Sequence, residues 1–127
     1  MEQQKELKYM NMVINENLRL YPPLQVYHEE LIHKILQPYP EKFIPERFQN
    51  EKRDNHAWLS FGGGSRLCLG VNFSLMEQRI TLCALLRKYE VSLPADSTHK
   101  DKLQIASESS GTMGPHPIPL IFKRRTD

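Results

Sequence analysis

Residues 61–70 read FGGGSRLCLG, one cysteine enclosed by glycines and followed by a long helical stretch. Phe61, Gly64, Arg66, Cys68 and Gly70 fit the pattern FxxGxRxCxG position for position. A thiolate, not a thiol, is the competent metal ligand, so a loop with such a task must favour negative charge on sulfur. Cys68 sits where the next helix is expected to begin, and the free N–H groups of a helix start favour an anion there. Gly64 and Gly70 permit turns that a side chain would block and allow close approach to a ligand. Other readings of the loop have less support. A phosphate cradle would end in Gly-Lys-Ser/Thr, which is missing. A zinc site needs more ligands, and Cys83 comes without a CxxC or HxxxH partner set. A buried structural cysteine remains the plain alternative.

Working outward, residues 3–21 read as a helix, because Leu7, Met10, Ile14, Leu18 and Tyr21 recur at steps of three and four. Pro22-Pro23 ends it. Glu16 and Arg19 share one face of this helix, with Met12, Val13 and Leu20 beside Glu16 at helical spacing. Two readings stay open: an exposed i,i+3 ion pair worth about 0.2–0.5 kcal/mol, or a partly buried pair that needs a further partner to offset desolvation.

Residues 24–27 are consistent with a short strand, and His28–Leu36 with a short amphipathic helix whose two histidines, His28 and His33, read as surface groups. QPYPEKFIPERFQN at 37–50 has three prolines and two phenylalanines, the signature of irregular chain held by apolar anchors. Val71–Lys88 is a second helix with two apolar stripes, Phe73/Met76/Ile80/Ala84 and Val71/Leu75/Leu82/Leu86, and so expects cover on two sides. Cys83 reads as a small core residue within it. Tyr89–Leu93, Lys102–Ala106 and Ile118–Phe122 are strand candidates, with the Ser- and Gly-rich stretch 107–114 separating the last two.

The chain has 127 residues and a formal net charge of +2. That length suits one small domain, and that charge is too small to argue for nucleic acid. The run Lys123-Arg124-Arg125 reads as a solvated tail. Two cysteines without pairing logic argue against a disulfide scaffold and for a reducing compartment. No stretch has the apolar length of a membrane span, and the polar start MEQQKELKY is no signal peptide.

The decamer resembles the haem-binding loop of the cytochrome P-450 family, the haem-thiolate monooxygenases. NENLRLYPP at 15–23 resembles that family's ExxR helix and FIPERF at 43–48 its PERF segment. The resemblance implies a mainly helical α+β fold: an ExxR helix, a meander, the haem-thiolate loop, a long helix after the cysteine and small C-terminal strands. It implies that Glu16, Arg19 and Arg47 interlock as an ion trio, which favours the partly buried reading of the pair. It implies haem b held through its iron by Cys68, with Arg66 on a propionate, Phe61 packed beside the sulfur, and Gly64 and Gly70 shaping the loop. Ser110, Gly111, Thr112 and Met113 correspond to the hairpin that enters the substrate pocket.

By the same resemblance the activity is insertion of one atom of O₂ into a small organic substrate, with electrons from NADPH through a cytochrome P-450 reductase. FIPERF, GGGSRLCLG and LLRKYE look eukaryotic, of fungal type, which places a full-length parent at the endoplasmic reticulum membrane. There are departures. Ser74 stands where the family has alanine, and the nineteen residues between Pro23 and Phe43 leave no room for a strand pair and its propionate contact. The family's distal oxygen-activating helix and its N-terminal anchor have no counterpart here. Residues 1–127 are therefore expected to be a partial domain, the C-terminal quarter of a whole protein. The competing expectations are a non-catalytic remnant with weak or no haem binding, and a generic interaction module built on exposed apolar faces.

Overall fold

The computed structural model describes residues 2–23, 38–49, 60–100, 103–107 and 113–126. The strand expected at 24–27, the helix expected at 28–36 with His28 and His33, and Ser110, Gly111 and Thr112 lie outside the described residues.

Helix α1 spans Glu2–Leu20. It stops because Pro22 and Pro23 cannot continue the ladder, and its final turn is closed by the Tyr21 N–H donating to Asn17 O at 2.8 Å. Met12, Ile14 and Leu18 are buried, whereas Leu7 at the start of the expected stripe is exposed. The buried side of α1 faces a single 3₁₀ turn, Pro45–Phe48, which begins on a proline and buries Pro45. Proline is pre-set for that first position, since its φ is fixed and its missing N–H would have no helical acceptor. This pairing is the centre of the described core.

Helix α2 spans Val71–Lys88, as the periodicity predicts. Arg79 Nε donates to Asn11 Oδ1 at 2.6 Å, and Cys83 Sγ lies 3.7 Å from Met10 Sδ, so α2 lies against the same α1. Cys83 is half-buried in this contact, not a fully enclosed core residue. Among the described residues no side chain of α2 is fully buried, and Phe73 and Ile80 are 65% and 61% exposed. The two-sided cover expected for this helix is thus incomplete within the described chain.

α2 runs straight into strand β1, Tyr89–Ser92. The other strands are β2, Ile105–Ser107, β3, Met113–Pro115, and β4, Ile121–Arg124. β1 pairs antiparallel with β4, with Tyr89 opposite Arg124 and Val91 opposite Phe122. Tyr89 and Phe122 meet edge to face with centroids 6.0 Å apart. β2 pairs antiparallel with β3, with Ala106 opposite Gly114. Three strand expectations shift. The last strand begins three residues after Ile118, because Ile118–Leu120 lie outside the ladder and pairing starts at Ile121. The expected Lys102–Ala106 strand is Ile105–Ser107. Met113–Pro115, read as part of a separating stretch, is itself a strand, a case in which pairing to β2 overrides the weak local propensity of glycine and proline.

Candidate functional site

Glu16 occupies a buried point on α1, with none of its surface exposed. Arg19, one turn on, donates from Nε to Glu16 Oε2 at 2.7 Å and from Nη2 to Oε1 at 3.0 Å. Arg47, from the 3₁₀ turn, donates from Nε to the same Oε1 at 2.9 Å. The Ile44 N–H adds a fourth hydrogen bond at 2.8 Å. The three charged side chains therefore come together, and the exposed-pair alternative for Glu16 and Arg19 is set aside by their burial. Arg47 also donates to the carbonyls of Pro38, Tyr39 and Lys42, and Arg19 to that of Lys42, so both guanidiniums pin the 38–47 segment. Burial by itself pushes the Glu16 carboxyl up. The Arg19 hydrogen bonds, the Ile44 amide, the Arg19 charge and the Arg47 hydrogen bond together outweigh it, and the carboxyl titrates below its ordinary range.

The glycine loop begins beside this cluster in the chain's path: Ser60, buried, donates its hydroxyl to Leu18 O at 2.8 Å. That contact ties the start of the loop to the end of α1. The Cys68 N–H donates to Phe61 O at 2.9 Å, which closes residues 61–68 into a compact turn. Inside it Gly64–Arg66 form one 3₁₀ turn. The left-handed backbone positions are Gly62, φ +77°, and Gly64, φ +58°. A Cβ at Gly62 would sit 3.2 Å from Arg66 O. Gly70 differs from expectation. It caps α2 with an ordinary negative φ, and a Cβ there would meet only Cys68 Sγ at 3.8 Å. The conformational demand falls on Gly62 and Gly64, and Gly62 is a position the motif does not specify.

Cys68 lies two residues before the cap of α2, a little ahead of the helix start itself, and its thiol is free and exposed. Phe61 is half-buried, and Arg66 is exposed. Leu67, Leu69 and Phe73 stand uncovered around the sulfur's stretch of chain, Leu69 completely so. Ser74 is accommodated: its N–H donates to Gly70 O at 2.9 Å and its hydroxyl accepts from Gln78 Nε2 at 3.1 Å. Met113 lies in β3. A groove of about 520 Å³ between α1 and α2 is lined by residues such as Val13, Phe43 and Leu82, and none of its lining comes from the 61–70 loop. Among the described residues no group of three or more His, Cys, Asp or Glu side chains gathers to hold a metal.

The sequence reading did not anticipate Ser60, Gly62, the Ile44 amide or the Lys42 carbonyl. Backbone groups carry no sequence signal, and the positive φ that sets Gly62 and Gly64 apart from Gly63 is not written in a run of three identical residues.

The Cytochrome P450 family model matches residues 33–122 of this chain. Cytochrome P450 9e2 of Blattella germanica is 32% identical over 122 residues, which cover 68% of this chain and 22% of that protein. Cytochrome P450 6a2 of Drosophila melanogaster is 33% identical over 141 residues, which cover 87% and 28%. The heme domain of a cytochrome P450DA mutant, a crystal structure, superposes with a TM-score of 0.75 at 23% identity over 92% of this chain and 31% of that one. The chain belongs to the cytochrome P450 family, and it spans about a quarter of the length of these curated relatives. Similar proteins come from insects, a plant, a primate and mycobacteria, so a fungal type is not supported. No helix among the described residues is long and apolar enough to cross a membrane.

Membership implies haem as the family's prosthetic group, and the residues present suit it. A single exposed thiol on a glycine loop is a soft donor for iron. Uncovered Leu67, Leu69 and Phe73 suit a flat apolar ring, and the exposed Arg66 guanidinium suits a carboxylate.

Proposed function

We propose that residues 1–127 are the C-terminal part of a haem-thiolate monooxygenase domain, with Cys68 as the proximal protein ligand to iron. The observation that carries this reading is the exposed Cys68 thiol, set in a compact glycine turn and flanked by uncovered apolar side chains. When bound, haem b supplies the oxygen-activating chemistry by which one atom of O₂ enters an organic substrate. Cys68 Sγ would hold the iron as thiolate, and the Phe61 carbonyl, by accepting the Cys68 N–H, fixes where that sulfur points. Arg66 would pair with a propionate and Phe61 would exclude water beside the sulfur. Gly64 and Gly70 would shape the loop. Glu16, Arg19 and Arg47 hold the adjoining segment in place and take no part in turnover. Ser110, Gly111, Thr112 and Met113 would border the substrate. An NADPH-dependent cytochrome P-450 reductase would deliver the electrons, and the whole protein would reside at the endoplasmic reticulum membrane.

The test is the reduced carbonyl spectrum of the chain joined to the remainder of its domain. Cys68→Ala should abolish the red-shifted band, and a band that survives would overturn the assignment. A second reading, a remnant that binds haem weakly or not at all, is favoured by the exposed Phe73 and Ile80, which leave one side of α2 uncovered among the described residues.

A further inference from the structure

Pro22 ends α1, and in doing so it strands a carbonyl. In a continuing helix the Leu18 C=O would accept from the N–H four residues on. That residue is Pro22, which has no N–H. Tyr21, just before it, donates its own N–H to Asn17 O. Leu18 is buried, and a buried carbonyl left without a donor is costly. The donor that meets it comes from 42 residues along the chain: the hydroxyl of Ser60, also buried, at 2.8 Å.

Ser60 stands one residue outside the decamer FGGGSRLCLG, immediately before Phe61. The Phe61 carbonyl accepts the Cys68 N–H at 2.9 Å. Hydrogen bonds on two adjacent residues therefore lead from the end of α1 to the cysteine, first Ser60 Oγ to Leu18 O, then Cys68 N–H to Phe61 O. The Arg66 and Leu67 amides bond within the loop, to Gly63 O and Gly64 O at 3.3 Å each, and shape the turn without attaching it to α1. We propose that Ser60 is a positioning residue for the Cys68 sulfur: its hydroxyl fixes the mouth of the glycine turn to the carbonyl that Pro22 leaves without a donor. The residue type follows from the task, which needs a donor on a short side chain in a place closed to water. As the positioner of an iron ligand Ser60 rests on the reading of Cys68 given above. As a tether for the Cys68 backbone it does not.

The test uses the chain joined to the remainder of its domain. Ser60→Ala should speed hydrogen exchange of the Cys68 amide roughly tenfold, the weight of about one net hydrogen bond. Amides in the middle of α2 should keep their rates, because the opening is local. A serine that served stability alone would move both sets alike. In the reduced carbonyl complex, held well below the unfolding temperature, Ser60→Ala should lose part of the red-shifted band to a band at shorter wavelength. Ser60→Thr keeps the hydroxyl and should restore both readouts. Pro22→Ala combined with Ser60→Ala offers the Leu18 carbonyl a backbone N–H with no tie to the loop. Thermal stability should recover in that double variant, while the Cys68 amide stays fast. Unchanged Cys68 exchange in Ser60→Ala, equal acceleration across α2, or normal Cys68 exchange in the double variant would overturn the proposal. Failure of both variants to fold would also overturn it, by making Ser60 a folding residue only. If the Cys68 amide responds as stated but Cys68→Ala keeps the red-shifted band, the ligand assignment falls and the tether stands.

Discussion

Arg47 lies 31 residues beyond Glu16, yet its Nε holds Glu16 Oε1 at 2.9 Å. The carboxylate has no exposed surface, and its other hydrogen bonds come from Arg19 and the Ile44 amide. A buried charge in such a network is tolerated because every partner is present. Removing one member leaves the others buried and uncompensated, at a cost of about 3–5 kcal/mol. Glu16→Ala should therefore yield haem-free, aggregated protein when the chain is expressed with the rest of its domain. Soluble Glu16→Ala protein with normal haem content would show that the network is dispensable.

The same carboxylate sets an acid limit. Its folded-state titration lies below the ordinary range, and a free glutamate titrates near 4.3. Its contribution to stability is fully present above that ordinary value and is lost as pH falls through the lower folded value. Urea-unfolding midpoints taken at decreasing pH should drop through this window. In Glu16→Gln, less stable throughout, that part of the acid slope should be missing. An unchanged slope would assign the acid limit to other carboxylates.

Gly62 and Gly70 should respond unequally to alanine. At Gly62 the added Cβ meets a left-handed backbone, φ +77°, and an Arg66 carbonyl 3.2 Å away. Holding a non-glycine residue there costs of order 1–3 kcal/mol. Gly70 has an ordinary φ and only the Cys68 sulfur at 3.8 Å, so Gly70→Ala should be far milder. Thermal unfolding of the two variants compares them directly. Equal losses would contradict the loop geometry.

Cys68 and Cys83 provide a second contrast. Cys83→Ala removes a half-buried sulfur resting on Met10, a truncation within the ordinary range of about 0.5–3 kcal/mol. It should leave the red-shifted carbonyl band intact, whereas Cys68→Ala should remove it. Loss of the band in Cys83→Ala with an unchanged fold would move the ligand assignment.

Residues 1–127 expressed alone with haem precursor should bind little haem and show no NADPH-dependent oxidation when a reductase is added. Ligand sites enclose most of the ligand's surface, and here Leu67, Leu69, Phe73, Met76 and Ile80 are all left at least half exposed. Stoichiometric haem with turnover would mean that the described chain is a sufficient enzyme.

The sequence by itself determined both helices and the order of the loop, while the charged trio came from its resemblance to a known family. Periodicity marks α2 to the residue because a continuous apolar repeat depends on nothing distant, and Pro22-Pro23 ends α1 for a reason internal to the chain. Spacing likewise fixes which cysteine stands in the glycine loop. Tertiary structure alone decided the rest. That Glu16 is buried follows from the arrival of Ile44 and Arg47, and the short-range pattern of α1 fits an exposed pair equally well. That Met113–Pro115 is a strand follows from its pairing with β2, since glycine and proline argue locally against it. That Gly62, and not Gly70, carries a left-handed backbone depends on how the turn closes between Phe61 and Cys68. Local sequence encodes period and termination. Burial, pairing and backbone strain are properties of contacts between residues far apart, and these become definite only when the chain is folded.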